Sequence, residues 1–423
     1  MNIVLLTKFY PFGSGEAFVE NEIKILAERY NKVFIVACDA PNRAPMRKVP
    51  NNATVIKING GNRKAAAIIN TISGIKYLFS ADDGIKLERK KCRTMAQKMF
   101  LGYFEAKSRR IYRKILQNGF MKECVAEPFA VYSYWLFTTA RAGCCIKDDF
   151  NPVYMFSRAH RYDLYQERNR LNYLPFRTCF AEYYDKIFPC SENGCRYLKN
   201  MCRGYEEKIE TALLGTADHS ENNSGEDKIF FNIVSCSRVN PEKRVEKIVE
   251  ALTLIKPENK ICWTHIGDGA EFERLQKLCR LRLNNMDHVK YILTGGMPNA
   301  QVIKLYSEKK FDLFVNVSSS EGLPVSIMEA ISFGMPVVAT DVGGTAEIVK
   351  DNITGKLLKK DFTAQQLARQ IEEFIARKKD DEYDSIRKSC RKFWENNFMA
   401  EKNYNLFYDK ITRLIEEKQR KCE

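Results

Sequence analysis

Glu321 and Glu329, with seven residues between them, carry the clearest chemistry in this sequence. A mostly apolar run from Asp312 to Val317 gives way to Ser318, Ser319 and Ser320, then to Glu321 and Gly322. That order predicts a strand, a short loop and a helix, with Glu321 in the loop and Glu329 inside the helix. Pro324 suits the first helical turn, where its missing N–H would be unpaired anyway. Gly334 stands where such a helix stops, and Pro336 follows it. A carboxylate and free backbone N–H groups, those of Gly322 and Leu323, are then aimed at one crevice above the strand ends. A helix start of this kind favours an anionic ligand. Carboxylates, for their part, accept hydrogen bonds from sugar hydroxyls, and a glycine lets a ligand come close to the backbone.

The spacing of two glutamates is common by itself, and the surrounding segments give it meaning. Ser237–Leu252 (SRVNPEKRVEKIVEAL), His265–Leu275 (HIGDGAEFERL), Glu321–Ala330 (EGLPVSIMEA) and Asp341–Val349 (DVGGTAEIV) follow in one order. Together they resemble the C-terminal half of the family 4 glycosyltransferases, retaining enzymes with the GT-B fold. Earlier pieces, FYPFGSGEAFVENEI, SRAHRYDLYQER, YLPFR and DKIFPCSENGCRYL, are similar to members serving bacterial exopolysaccharide assembly of the colanic-acid type. The resemblance covers the second half of the chain closely and the first half loosely.

It implies specific roles. Arg238 and Lys243 match the cations that hold the diphosphate of a nucleotide sugar, where fixed positive charge stabilises the leaving group. A solvated loop with surface ion pairs is their plain alternative. Arg244 replaces a common Gly, so its side chain points away or adds to the cationic site. Glu321 matches the carboxylate near the donor sugar, with helix capping as a compatible second role. Glu329 matches the one that binds ribose hydroxyls, against an exposed helix position. Gly267, in a tight turn after a strand, falls near the nucleotide. Asp341–Gly344 reads as structural.

In the first half, Gly13 and Gly15 form a loop after the first strand, ahead of a helix opening near Glu16, which suits phosphate or sugar approach. The spacing is not that of a dinucleotide-binding fingerprint. His160 matches a histidine that contacts the donor sugar. Arg158, Arg161 and Asp163 are candidates for the acceptor side. The resemblance thus implies transfer from a nucleotide diphosphate sugar to a saccharide or polyprenyl-linked glycan. Glu321 is not assigned as a nucleophile, because in these enzymes the leaving phosphate is thought to deprotonate the acceptor on the same face. An inactive nucleotide-sugar-binding module and a sugar phosphorylase are the rival readings.

The elements that must position these groups alternate as strand and helix, the pattern of an α/β chain with doubly wound sheets. Residues 1–218 are expected to form one Rossmann-like, acceptor-binding domain and residues 219–392 a second, nucleotide-sugar-binding one, facing across a cleft. Polar Thr216–Asp227 is the candidate linker. Phe393–Glu417 carries a long amphipathic pattern, and the resemblance returns residues 393–423 to the first domain. Asn62–Phe120 reads as largely helical.

Composition narrows the classes further. The chain has 423 residues, 45% hydrophobic, enough for two cores and too apolar for disorder. The first eight residues read as a buried strand, since Lys8 cuts the apolar run short. Phe129–Ala140 is too short to span a bilayer, so a cytoplasmic, soluble or peripheral protein is expected. Fourteen cysteines without a C-x-x-C pair, and four scattered histidines, give no metal pattern. No D-x-D motif occurs, and neither a metal nor another cofactor is expected.

Of the +15 net charge, residues 1–218 carry +13, from 35 Lys and Arg against 22 Asp and Glu. Much of it lies between Lys86 and Lys114, interleaved with Met95, Met99, Phe100, Leu101, Tyr103, Phe104, Ile111, Ile115 and Leu116. A basic amphipathic helix of that kind suits an anionic membrane surface; a helix packed on its own domain is the alternative. No nucleic-acid-binding motif accompanies the charge.

Overall fold

The computed structural model describes residues 1–13, 15–16, 18–59, 63–219, 229–380 and 382–422. Its chain forms two compact units, Met1–Leu213 with Glu401–Glu423, and Leu214–Ala400. Most of the linker candidate, residues 220–227, lies outside the described residues.

The first unit is built on strands β1 (Asn2–Thr7), β2 (Val33–Ala40), β3 (Ala53–Asn59), β4 (Phe129–Ser133), β5 (Tyr154–Ala159) and β6 (Lys186–Pro189), in the order β3-β2-β1-β4-β5-β6. All its pairings are parallel. Every residue of β1, β4 and β5 is buried, as a sheet covered by helices on both faces requires. The second unit repeats that topology with β7 (Phe231–Cys236), β8 (Ile261–Ile266), β9 (Val289–Leu293), β10 (Leu313–Asn316), β11 (Val337–Thr340) and β12 (Gly355–Leu358), ordered β12-β11-β10-β7-β8-β9. In both sheets the strand order reverses beside the first strand, at β1/β4 and at β7/β10. Ligands of doubly wound sheets bind outside the strand ends at such a point.

The helices of the first unit that matter below are α1 (Val19–Arg29), α2 (Arg63–Gly74), α3 (Asp83–Lys91) and α4 (Met95–Asn118), with a 3₁₀ turn at Ile75–Phe79. α4 is held at its start by a capping box of Thr94 and Gln97 and ends at Gly119, whose φ is 83°. Its apolar stripe is not free for a membrane. Leu101, Phe104, Ile111 and Ile115 are buried in the core of the unit, Lys107 pairs with Asp39 at 2.9 Å, and Arg109 pairs with Glu105 at 2.8 Å. This part of the Lys86–Lys114 membrane expectation is therefore corrected: the helix spends its stripe on its own domain.

The long pattern after Phe393 resolves into two helices, Glu382–Asn397 and Ala400–Cys422. The former stays with the second unit. Its Arg387 donates to the Phe311 and Phe333 carbonyls at 2.8 and 3.0 Å, and its Trp394 indole donates to Thr216 Oγ1 at 2.7 Å. Phe398 and Ala400 also exchange backbone hydrogen bonds with Thr216, at 2.9 and 3.0 Å, which draws Leu214–Asp218 into the second unit. Ala400–Cys422 joins the first unit through buried Tyr404, Phe407, Tyr408 and Ile411. Each such side chain contributes about 1.5–3 kcal/mol by leaving water. The expected boundaries thus move by a few residues, because the two crossing segments pair with each other before separating.

Candidate functional site

In the second unit, β7 and β10 are neighbours, with Leu313 beside Ile233 and Phe314 beside Val234. The loops that leave their C-terminal ends carry Arg238 and Lys243 on one side and Glu321 on the other. Lys243 Nζ lies 2.6 Å from Glu321 Oε1, and Glu321 is only 6% exposed. Asn316 Nδ2 adds a longer contact of 3.4 Å to the same oxygen. The N–H groups of Gly322 and Leu323 donate to nothing among the described residues, just ahead of the helix Val325–Ser332. Arg238 is exposed in the loop that follows β7. An ammonium, a carboxylate and two open N–H donors therefore stand at the switch point of this sheet, with exposed Arg238 on the loop that also carries the ammonium.

Glycines set this geometry. Gly343, at φ 58°, lies so close to the Glu321 loop that a Cβ would stand 1.9 Å from the Glu321 carbonyl oxygen, and Gly344 N–H donates to the Gly322 carbonyl at 2.7 Å. The Asp341–Gly344 segment thus acts as a floor under Glu321. Gly267, at φ 142°, does the same for the Arg238 loop, with a Cβ 1.9 Å from the Ser237 carbonyl oxygen. Arg244 sits at φ 51°, which explains why a glycine suits that position. Its guanidinium turns away from the cations and donates to the carbonyls of Val317, Ser318 and Lys360 at 2.8, 3.2 and 2.7 Å. It ties the Lys243 loop to the end of β10.

Glu329 is buried rather than exposed, on the helix Val325–Ser332, and accepts from Asn299 Nδ2 at 2.7 Å. Burial pushes its carboxyl up to about 7, against the opposing hydrogen bond from Asn299. Asn299 opens its own helix, Asn299–Glu308, in a segment whose sequence carries no motif.

The first unit treats its candidates unevenly. Arg158 does not line an open surface. It is fully buried, with Nε 3.4 Å from Glu22 and 3.0 Å from the Tyr132 hydroxyl, and its guanidinium 4.2 Å from the Phe407 ring centroid. Asp163 is buried as well, accepting from the N–H of His160 at 2.6 Å and of Leu136 at 2.5 Å. Burial raises its carboxyl to about 7 despite Arg177 and these donors. Both are positioning residues of the core, which corrects their acceptor assignment. Arg161 opens the short helix Arg161–Leu164 and is half-buried. His160, at the end of β5, packs its ring against Tyr134 and Trp135 at centroid distances of 4.9 and 4.6 Å. Neither ring nitrogen has a hydrogen-bond partner among the described residues. Burial, with Arg158 nearby, lowers its pKa to about 3, so the ring is neutral at pH 7.

The Gly13–Gly15 loop departs from its expected use. The N–H groups of Lys8, Phe9 and Tyr10, the donors a phosphate would take beyond β1, point at the Glu16 carboxylate at 3.0, 2.5 and 2.6 Å. The Trp135 indole N–H completes that set. Glu16 is buried at φ 58°, and α1 begins only at Val19. Phosphate approach to these donors is therefore closed by the chain's own carboxylate.

Beside it a cavity of about 230 Å³ opens at the ends of β1, β2 and β4, walled by Phe9, Phe18, Trp135, Phe137 and Tyr162 with Lys8 at its edge. The sequence signal is the run YWLF (Tyr134–Phe137) directly after β4, which hydropathy alone reads only as an apolar stretch.

Residues 216–393 match the family model of the glycosyl transferases group 1. That segment is most of the second unit, and it contains Arg238, Lys243, Glu321 and Glu329. Among curated proteins, the chain is 26% identical over 187 residues to the lipopolysaccharide 1,6-galactosyltransferase of Escherichia coli K12, covering 44% of this chain and 48% of that one. It is 23% identical over 214 residues to the GtfA subunit of the UDP-N-acetylglucosamine–peptide N-acetylglucosaminyltransferase of Streptococcus agalactiae, covering 48% and 40%. The chain spans less than half the length of these relatives. Among solved structures, the Anabaena Alr3699/HepE protein in complex with UDP aligns over 97% of this chain and 99% of its own, with a TM-score of 0.65 and 14% identity. That likeness shows the fold, two Rossmann-like α/β domains of the GT-B class.

Proposed function

We propose that the chain transfers a sugar from a nucleoside diphosphate sugar to a saccharide or polyprenyl-linked glycan, with retention at the anomeric carbon and without a metal. The observation that carries this reading is the Lys243–Glu321 pair at the β7/β10 switch point, with Arg238 and the N–H groups of Gly322 and Leu323 around it. When the bond from the anomeric carbon to the diphosphate oxygen breaks, negative charge grows on that oxygen, and Arg238 and Lys243 offset it. The acceptor hydroxyl forms the new bond on the same face, and its proton passes to the departing phosphate. Glu321 accepts hydrogen bonds from the sugar, and Glu329, beside Asn299, from the ribose. Neutral His160 contacts the donor sugar as a hydrogen-bonding ring. A relative named for lipopolysaccharide supports a bacterial surface glycan as product. A structural neighbour that holds UDP makes UDP-sugars the first donors to try.

The test is a thermal-shift panel of UDP-, GDP- and ADP-sugars on wild type and on an Arg238→Ala, Lys243→Ala double variant. A donor at ~100 times its dissociation constant stabilises by about 2.7 kcal/mol. A shift with one nucleotide class that the variant loses is the expected result; no shift with any class refutes the donor site. Binding without sugar transfer to any glycan or lipid-linked acceptor points instead to an inactive binding module.

A further inference from the structure

α2 is turned the wrong way round for a helix of a soluble domain. Such helices place large apolar side chains on the core and small or polar ones outside. Here Ala66, Asn70 and Gly74 face inward onto α4, so closely that a Cβ on Gly74 would stand 2.6 Å from the Gly102 carbonyl carbon. Ile68, Ile69 and Ile72 take the opposite arc, about 100° wide at 100° per residue, Ile75 follows them at the start of the 3₁₀ turn, and all four are exposed. The pattern continues through the 3₁₀ turn to Phe79, which is 81% exposed, and to Leu87 on α3. Six of the seventeen exposed large apolar side chains among the described residues thus fall within residues 68–87. Isolated exposed apolar residues are ordinary, but a contiguous group marks an interaction surface.

The charge around that surface indicates its partner. Residues 64–98 hold eight Lys and Arg against three Asp and Glu. Lys76, Lys86, Lys90 and Arg93 are exposed. Arg89 is not available, because it ties the 3₁₀ turn to α3 by donating to the Leu78 carbonyl at 2.6 Å. No helix among the described residues is long and apolar enough to cross a membrane. Apolar side chains rimmed by cations match a bilayer interface, whose acyl boundary takes the former and whose anionic headgroups take the latter.

We infer that the α2–α3 segment is a docking face for an anionic lipid surface, with the isoleucines of α2 and Phe79 entering the headgroup–acyl boundary. The inference is independent of the transfer reaction and of the donor site. It places the contact on the segment before α4, where the apolar side chains are free.

The experiment is co-sedimentation of the full chain with vesicles of phosphatidylcholine alone and of phosphatidylcholine containing phosphatidylglycerol. Wild type is expected to bind the second and not the first, and to release in high salt. An Ile72→Ser, Phe79→Ser variant loses at least tenfold in partitioning while keeping its melting temperature. A Lys86→Gln, Lys90→Gln variant loses about thirtyfold, at about fivefold for each cation near an anionic surface. Leu281→Ser, an exposed apolar residue of the second unit, leaves binding unchanged. No binding to the anionic vesicles, equal binding to both kinds, or undiminished binding by the Ile72→Ser, Phe79→Ser variant overturns the inference. Self-association that this variant abolishes, without vesicle binding, overturns it too and assigns the face to a second copy of the chain.

Discussion

Removing the Lys243 ammonium tests whether the switch point of the second unit is the strained, charge-rich site the geometry describes. Glu321 is 6% exposed, and its Oε1 lies 2.6 Å from Lys243 Nζ, while Asn316 Nδ2 is 0.8 Å farther, at 3.4 Å. Breaking a fully buried pair from one side costs about 3–5 kcal/mol, because the other charge stays desolvated. Lys243 keeps 19% of its side chain in water, so screening brings the cost below that range, to about 2 kcal/mol. For a unit of this size that is a fall of about 4–8 °C in melting temperature. Lys243→Met, Glu321→Gln and the double variant, followed by denaturant unfolding, isolate the pair term. A coupling of about 1.5–2 kcal/mol is expected, with the double variant more stable than Lys243→Met alone. A coupling below about 0.5 kcal/mol refutes the reasoning, for the pair would then behave as a solvated surface bridge. UDP titration of the same proteins separates the two roles. Glu321→Gln frees the ammonium for the diphosphate, so UDP affinity holds or rises while sugar transfer falls. A loss of UDP affinity in Glu321→Gln contradicts that division.

Arg238 is exposed, so Arg238→Ala should leave unfolding within about 0.5 kcal/mol of wild type while sugar transfer falls about 10²–10³-fold; steady-state kinetics beside a melting curve checks both. The Glu329 carboxyl, pushed up to about 7 from 4.5 by burial, holds a proton that the unfolded chain has already lost. Its contribution to stability is complete below about pH 4.5 and is lost as pH rises through 7, at up to about 1.4 kcal/mol per pH unit, and Glu329→Gln should remove that slope from a series of unfolding curves. Gly343→Ala should destabilise the second unit by about 1–3 kcal/mol, since φ is 58° and the new Cβ meets the Glu321 carbonyl oxygen; an unchanged midpoint in urea would show that the Gly343 loop does not support Glu321.

The α/β architecture was legible because it is written in local signals. The run before Ser318, the break at Gly334 and Pro336, and the turn at Gly267 each act within a few residues, and β10, the helix Val325–Ser332 and β8 lie where those signals put them. Gly334 adopts φ 67°, the left-handed conformation its position as a helix stop implied. What escaped was set by distant partners. Arg158 sits in a polar, basic stretch, yet Glu22 and Phe407, far from it in the chain, enclose it. The α4 stripe has the right period for a membrane helix and for a core helix alike, and only the packing of Phe104 and Ile115 separates the two. α2 likewise shows a helical apolar arc, but period does not reveal which arc faces out; the close approach of Gly74 to Gly102 decides that.

Glu16 has a consequence for how the chain tells its two halves apart. Both sheets share one strand order, and a copied topology copies its ligand position with it. Two equivalent phosphate cradles would let a nucleotide settle at either, with one of the two occupancies unproductive. In the first unit the backbone donors beyond β1 are already saturated by an internal anion, which also repels any phosphate that arrives. In the second, the corresponding ground carries Arg238 and Lys243. A single buried glutamate thus breaks the symmetry of the repeated scaffold: its first half closes with an internal anion the ground that its second half leaves cationic.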